Sequence, residues 1–196
     1  MEKPVVYEAK DFSKLLGIPG FSDTLLNNHF KLYQGYVKNT AAVQEKLNAL
    51  TAEGKDRTPE FGELKRRFGW EFNGMRLHEY YFANLGAKEQ LDAKSDLAKR
   101  ITDDFGSFDE WKKDFVSTGV MRGIGWVILY QDPANGRLFN VWINEHDAGH
   151  LAGAKPLLVL DVFEHAFFTD YQTDRPKYIE AFFAAIDWKA AAARLK

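Results

Sequence analysis

An apolar run, Leu157-Leu158-Val159-Leu160, ends abruptly in a carboxylate at Asp161, with an imidazole four residues on at His165. Burying such a pair is costly unless something satisfies both groups, and a metal cation does so. Five histidines are present, His29, His78, His146, His150 and His165, and there is no cysteine. Any bound metal must therefore use imidazole and carboxylate. The same absence removes disulfides, thiolate catalysis, iron–sulfur clusters and thiolate zinc sites. Taken singly, each histidine reads as a structural or surface residue, and only a joint pattern makes it a ligand.

The chain has 196 residues, of which 45% are hydrophobic, enough to bury a full core as one unit or two small lobes. Its formal net charge of −2, with 28% charged residues, gives no global basic field for nucleic acid or an anionic membrane. A small anionic substrate would need local steering. Met1-Glu2-Lys3-Pro4 leads into charged sequence, and no run approaches the roughly 20 apolar residues of a membrane span. The expected location is the cytoplasm.

The elements that would position these side chains fall into two sets. Leu25 to Leu50 carries apolar residues at helical spacing behind the capping pair Ser22-Asp23, and Phe61 to Leu85 repeats the pattern with many aromatics. Thr51 to Glu60, with Gly54 and Pro59, connects them, which makes a helical hairpin. Shorter helices are expected at Leu91 to Ile101 and Phe108 to Thr118. Trp126 to Tyr130 and Arg137 to Ile143 are β-rich runs around an Asn135-Gly136 turn signal, and Leu157 to Leu160 supplies a third strand. Tyr178 to Ile186 is the last full helix, with Pro176 near its first turn, and Ala190 to Lys196 a short helical tail. The fold class is thus α+β: a long N-terminal α-helical hairpin domain, 1–88, and a C-terminal α/β domain, 89–196, with a three-stranded antiparallel sheet.

Asp161-Val162-Phe163-Glu164-His165-Ala166-Phe167-Phe168 resembles the metal-binding stretch Asp-x-Trp-Glu-His-Ala-Tyr-Tyr of the iron/manganese superoxide dismutases. Phe72-Asn73-Gly74-Met75-Arg76-Leu77-His78 is similar to that family's second-helix ligand segment, and the resemblance spans almost the whole chain. It implies a ligand set of His29, His78, Asp161 and His165, three imidazoles and one monodentate carboxylate. Such a set stabilises both divalent and trivalent iron or manganese and leaves a coordination position open for chemistry.

The first ligand raises a question of register. Family members place this histidine eight residues before a tyrosine, whereas His29 precedes Tyr36 by seven, so strict alignment puts Asn28 at the ligand position. On a regular helix seven residues turn about 700°, within about 20° of whole turns, while eight end about 80° away. His29 and Tyr36 therefore share a face here, and the longer spacing would need a local widening such as a π-bulge. The expectation is one deleted residue, with His29 as ligand and Asn28 as the alternative.

Further roles are implied by the resemblance. Tyr36 corresponds to the tyrosine at the mouth of the active site, and Trp126 to the tryptophan that walls the metal pocket. His146 stands where a glutamine or histidine hydrogen-bonds metal-bound solvent, the second-helix position for that donor being Gly74. Arg175 matches an arginine near the substrate funnel, a fixed cation able to concentrate a small anion. Glu164 corresponds to a carboxylate that reaches the ligand histidine of another subunit, which implies a homodimer or tetramer with Glu164 at the interface. Phe168 lacks the hydroxyl of the family's tyrosine, Leu32 or Tyr33 replaces its histidine partner, and Phe163 replaces a tryptophan. His150 reads as a solvated loop histidine.

The implied activity is superoxide dismutation by ping-pong redox cycling of one iron or manganese ion per subunit. One superoxide gives oxygen and a second, with two protons, gives hydrogen peroxide. Two other readings compete: a non-redox zinc hydrolase with Glu145 as general base, and a structural homologue whose metal site has degenerated.

Overall fold

The computed structural model describes residues 7–86 and 89–196. The N-terminal residues 1–4 and the expected domain boundary at residue 88 lie outside them. Helix α1 spans Asp23–Ala52, opened by Ser22, whose Oγ accepts the Leu25 N–H at 3.0 Å. Its buried face, Leu25, Leu26, His29, Tyr33, Val37, Thr40, Leu47 and Leu50, follows the three-and-four spacing of a helix stripe. Helix α2, Pro59–Ala83, is capped by Thr58 and carries proline in its first turn, where a missing N–H costs nothing. The two pack against each other as the expected hairpin.

Helices α3, Asp96–Phe105, and α4, Phe108–Gly119, follow. α3 starts later than its apolar spacing predicts, because Ser95 Oγ caps it through the Ala98 N–H and Asp92 turns the preceding chain by accepting from Lys94 N–H. Leu91 is consequently outside the helix. The sheet comprises β1, Gly125–Gln131, β2, Leu138–Asn144, and β3, Lys155–Asp161, in the order β2-β1-β3 and antiparallel throughout. Central β1 is buried along its whole length. Its register sets Trp126 opposite both Ile143 and Asp161, which fixes where the two ends of the sheet present side chains.

After β3 come a 3₁₀ turn at Glu164–Ala166 and the helical turn α5, Phe168–Tyr171, then α6, Arg175–Ala185, and α7, Trp188–Ala192. α6 begins three residues before the expected Tyr178, since Asp174 caps it at the Lys177 N–H. Asp187 caps α7 in the same way, so the tail helix begins and ends earlier than expected. Asp170 on α5 accepts from both the N–H and hydroxyl of Ser22, tying the start of α1 to the segment that carries His165. One connected apolar core runs from Phe12 to Ala191 and draws on both halves of the chain.

Candidate metal centre

Four side chains from four elements converge: His29 from α1, His78 from α2, Asp161 from the end of β3 and His165 from the 3₁₀ turn. One potential ligand atom of each lies within 4.8 Å of the others. Asp161 Oδ2 is the common point, 3.2 Å from Nε2 of His29, 3.2 Å from Nε2 of His165 and 3.7 Å from Nε2 of His78. Its other oxygen, Oδ1, accepts the Phe163 N–H at 2.9 Å, so a single carboxylate oxygen faces the imidazoles.

Nδ1 of His78 lies 2.5 Å from the Gly74 carbonyl, an acceptor only, so the proton sits on Nδ1. Nε2 then carries a lone pair, and this buried atom has no hydrogen-bond partner among the described residues. A cation is the group that such an orphaned lone pair lacks, and the donor set fits iron or manganese. Electrostatics agree. Burial lowers the pKa of His29 against the opposing pull of Asp161, and takes His78 well below the ordinary imidazole range. Burial would raise Asp161, but the His165 and His29 imidazoles outweigh it and hold the carboxyl far below its usual range. Buried His29 and His78, kept neutral by that burial, beside one buried anion make a cation receptor.

The register of α1 is visible directly. α1 runs as α-helix without interruption, His29 is 1% exposed within the cluster, and Asn28 faces solvent. With no bulge, seven residues bring Tyr36 onto the same face, where its ring stacks on His78 at 5.2 Å between centroids.

His146, fully buried in a loop whose Asn144, Asp147, Ala148 and Gly149 are exposed, completes the wall. The Trp126 indole N–H donates to its Nδ1 at 3.0 Å, and an indole can only donate. Neutral His146 therefore carries its proton on Nε2, which donates to the Tyr36 oxygen at 2.7 Å. Burial lowers His146 to about 4, which keeps this form at neutral pH. Both ring nitrogens are thus engaged, and the link from His146 toward the cluster runs through Tyr36. Phe163 stacks on His146 at 4.7 Å and on His165 at 5.1 Å. Trp70 meets the His146 ring edge-on at 4.8 Å.

Arg175 donates to the carbonyls of Met121 and Gly123 at 2.7 and 2.9 Å, so its guanidinium is fixed at the start of α6 outside the cluster. Glu164 and Phe168 are exposed. Two contributors carried no local sequence signal. The Tyr178 hydroxyl donates to the Asp161 carbonyl at 2.8 Å, anchoring the end of β3, and Trp70 packs from a helix whose aromatic density hid it.

Residues 93–194 match the family model described as iron/manganese superoxide dismutases, C-terminal domain. A protein of Haloferax volcanii named as a manganese superoxide dismutase is 35% identical over 180 residues, covering 90% of this chain and 87% of the relative. Proteins named as iron superoxide dismutases are 34% identical in Aquifex pyrophilus, covering 92% and 87%, and 37% identical in Cupriavidus metallidurans, covering 90% and 89%. With the family model spanning over half of the 196 residues and relatives aligned along nearly all of them, the chain belongs to the iron/manganese superoxide dismutase family.

Proposed function

We propose that the protein converts superoxide to dioxygen and hydrogen peroxide at one iron or manganese ion held by His29, His78, Asp161 and His165. The observation that carries this is the His78 Nε2 lone pair, buried, unpartnered and turned toward the single Asp161 oxygen that two other imidazoles face. When bound, the ion supplies one-electron chemistry between its trivalent and divalent states.

The chain's own residues handle the protons and the anion. Two superoxide ions and two protons give one dioxygen and one hydrogen peroxide, so proton delivery is part of the reaction. Burial, with the nearby charges of Asp161 and Glu71, pushes Tyr36 up to about 12, and its hydroxyl stays protonated at neutral pH. Because His146 Nε2–H occupies the Tyr36 oxygen as an acceptor, the Tyr36 hydrogen is left for solvent or substrate. Trp126 and Phe163 keep bulk water from the imidazoles. Arg175, held by two carbonyls, is the local cation that draws a small anion to a chain of net charge −2.

We read the assembly as a homodimer, or a tetramer built from it, with Glu164 at the contact. Val120, Met121 and Phe168 are 44%, 47% and 46% exposed around a concavity that also includes Glu164 and Arg175, and the His165 side chain is left 27% exposed beside it. Sedimentation of wild type and Glu164→Ala tests this, a monomeric wild type being the contrary result. For the activity, elemental analysis of the protein as isolated is paired with a superoxide dismutation assay. Stoichiometric iron or manganese with dismutation is expected, and zinc-loaded protein without dismutation would overturn the reading.

A further inference from the structure

His150, which reads in the sequence as a solvated loop histidine, has both of its nitrogens engaged. Nε2 lies 2.9 Å from the backbone carbonyl of His146, which can only accept, so Nε2 carries a proton and donates it. Nδ1 lies 2.7 Å from the hydroxyl of Tyr130. Tyr130 is almost fully buried on central β1 and cannot swing away. His150 is thus a strut from the rigid sheet to the backbone of the residue whose ring bonds Trp126 and Tyr36.

The loop needs such a strut. Between Asn144 and Ala148 the chain is closed by a reciprocal pair of backbone bonds, 2.8 and 3.3 Å, and Glu145 adopts a left-handed φ of +52°. His146 is the only fully buried side chain of this turn, and its neighbours Asn144, Asp147, Ala148 and Gly149 are exposed. Among the described residues, the His150 imidazole makes the one side-chain hydrogen bond to the backbone of residues 145–149. A ring that must meet Trp126 at 3.0 Å and Tyr36 at 2.7 Å tolerates little backbone drift.

We infer that His150 is a positioning residue for the reaction: braced by Tyr130, it holds the His146 backbone so that the His146 ring keeps Nε2–H on the Tyr36 oxygen. The catalytic part of this rests on the proposed activity, whereas the strut itself does not, and the test separates them. Hydrogen–deuterium exchange of the metal-loaded protein, followed in residues 144–149, reads the strut. His150→Ala is expected to speed exchange there by about tenfold, the loss of one half-buried hydrogen bond, with α1 unchanged. His150→Gln, which can place an N–H donor near the Nε2 position, is expected to restore most of the protection. Tyr130→Phe removes only the brace and is expected to give a smaller increase, and it decides the matter should His150→Ala fail to fold.

In the assay, His150→Ala is expected to lower kcat more than kcat/KM, with His150→Gln rescuing it. Unchanged loop exchange in both His150→Ala and Tyr130→Phe would overturn the strut. So would a Gln variant as unprotected as Ala. Faster loop exchange with a wild-type kcat would overturn the positioning role while leaving the strut. A wild type without dismutation would instead count against the proposed function.

Discussion

Gly74 and Tyr36 are in contact in a way that only glycine permits: a Cβ on Gly74 would lie 2.5 Å from Cδ1 of the Tyr36 ring and 2.7 Å from Cε1. The tyrosine occupies the space that a side chain on α2 would fill. One small residue thereby seats the ring against His78 and leaves its hydroxyl to His146.

Gly74→Ala is accordingly expected to cost activity although it sits mid-helix. Helix propensity favours alanine by about 1 kcal/mol, but the overlap forces Tyr36 off its seat, and overpacking of this kind costs about 1–3 kcal/mol. Denaturant unfolding together with the dismutation assay checks this. A variant both stabilised and fully active would show that the ring is free to move.

Trp126→Phe removes the donor to Nδ1 of His146 and keeps most of the apolar wall. A buried acceptor left unpaired costs about 1–3 kcal/mol, and the His146 ring loses the bond that sets its tautomer. The expected result is a lower unfolding midpoint and a several-fold fall in turnover. Equal stability and turnover in the variant would mean that the bond sets neither.

The buried imidazoles make stability depend on pH once the metal is stripped. His146 is lowered to about 4, and burial lowers His29 and His78 as well. From about pH 6.5 down to about 4 the unfolded chain takes up protons on these rings and the folded chain resists, so stability falls with pH through that window. For each ring, every pH unit by which the folded chain titrates below the unfolded one corresponds to about 1.4 kcal/mol. Asp161, held below its usual range, adds further loss only below about pH 3.9. Denaturant midpoints of metal-free protein between about pH 8 and pH 4 are the measurement, and a flat series would contradict neutral imidazoles.

Much of this is legible in the residues alone, and what is not has physical causes. α1 and α2 announce themselves because their apolar stripes repeat over many turns, and β1 because a wholly buried strand is a continuous apolar run. Counting residues from His29 to Tyr36 anticipates an unbulged helix, since rotation per residue is nearly fixed. The turns at Glu164–Ala166 and Phe168–Tyr171 are too short to show a period. The start of α3 departs from its apolar spacing because Ser95 capping outweighs the pattern at Leu91. His150 gives no sign of its role because its partners, Tyr130 and the His146 carbonyl, are brought to it by sheet register and a loop conformation. Tyr178 reaches the Asp161 carbonyl only through the docking of α6.

Everything proposed for the reaction depends on His29, and not its neighbour Asn28, joining His78, Asp161 and His165 in holding a redox metal. Metal content and superoxide dismutation of His29→Ala and Asn28→Ala, measured beside wild type, decide between the two. The geometry predicts that His29→Ala loses stoichiometric iron or manganese and with it dismutation, while Asn28→Ala, altering a solvent-facing residue, keeps both. Full metal and activity in His29→Ala, or their loss in Asn28→Ala alone, would contradict that assignment.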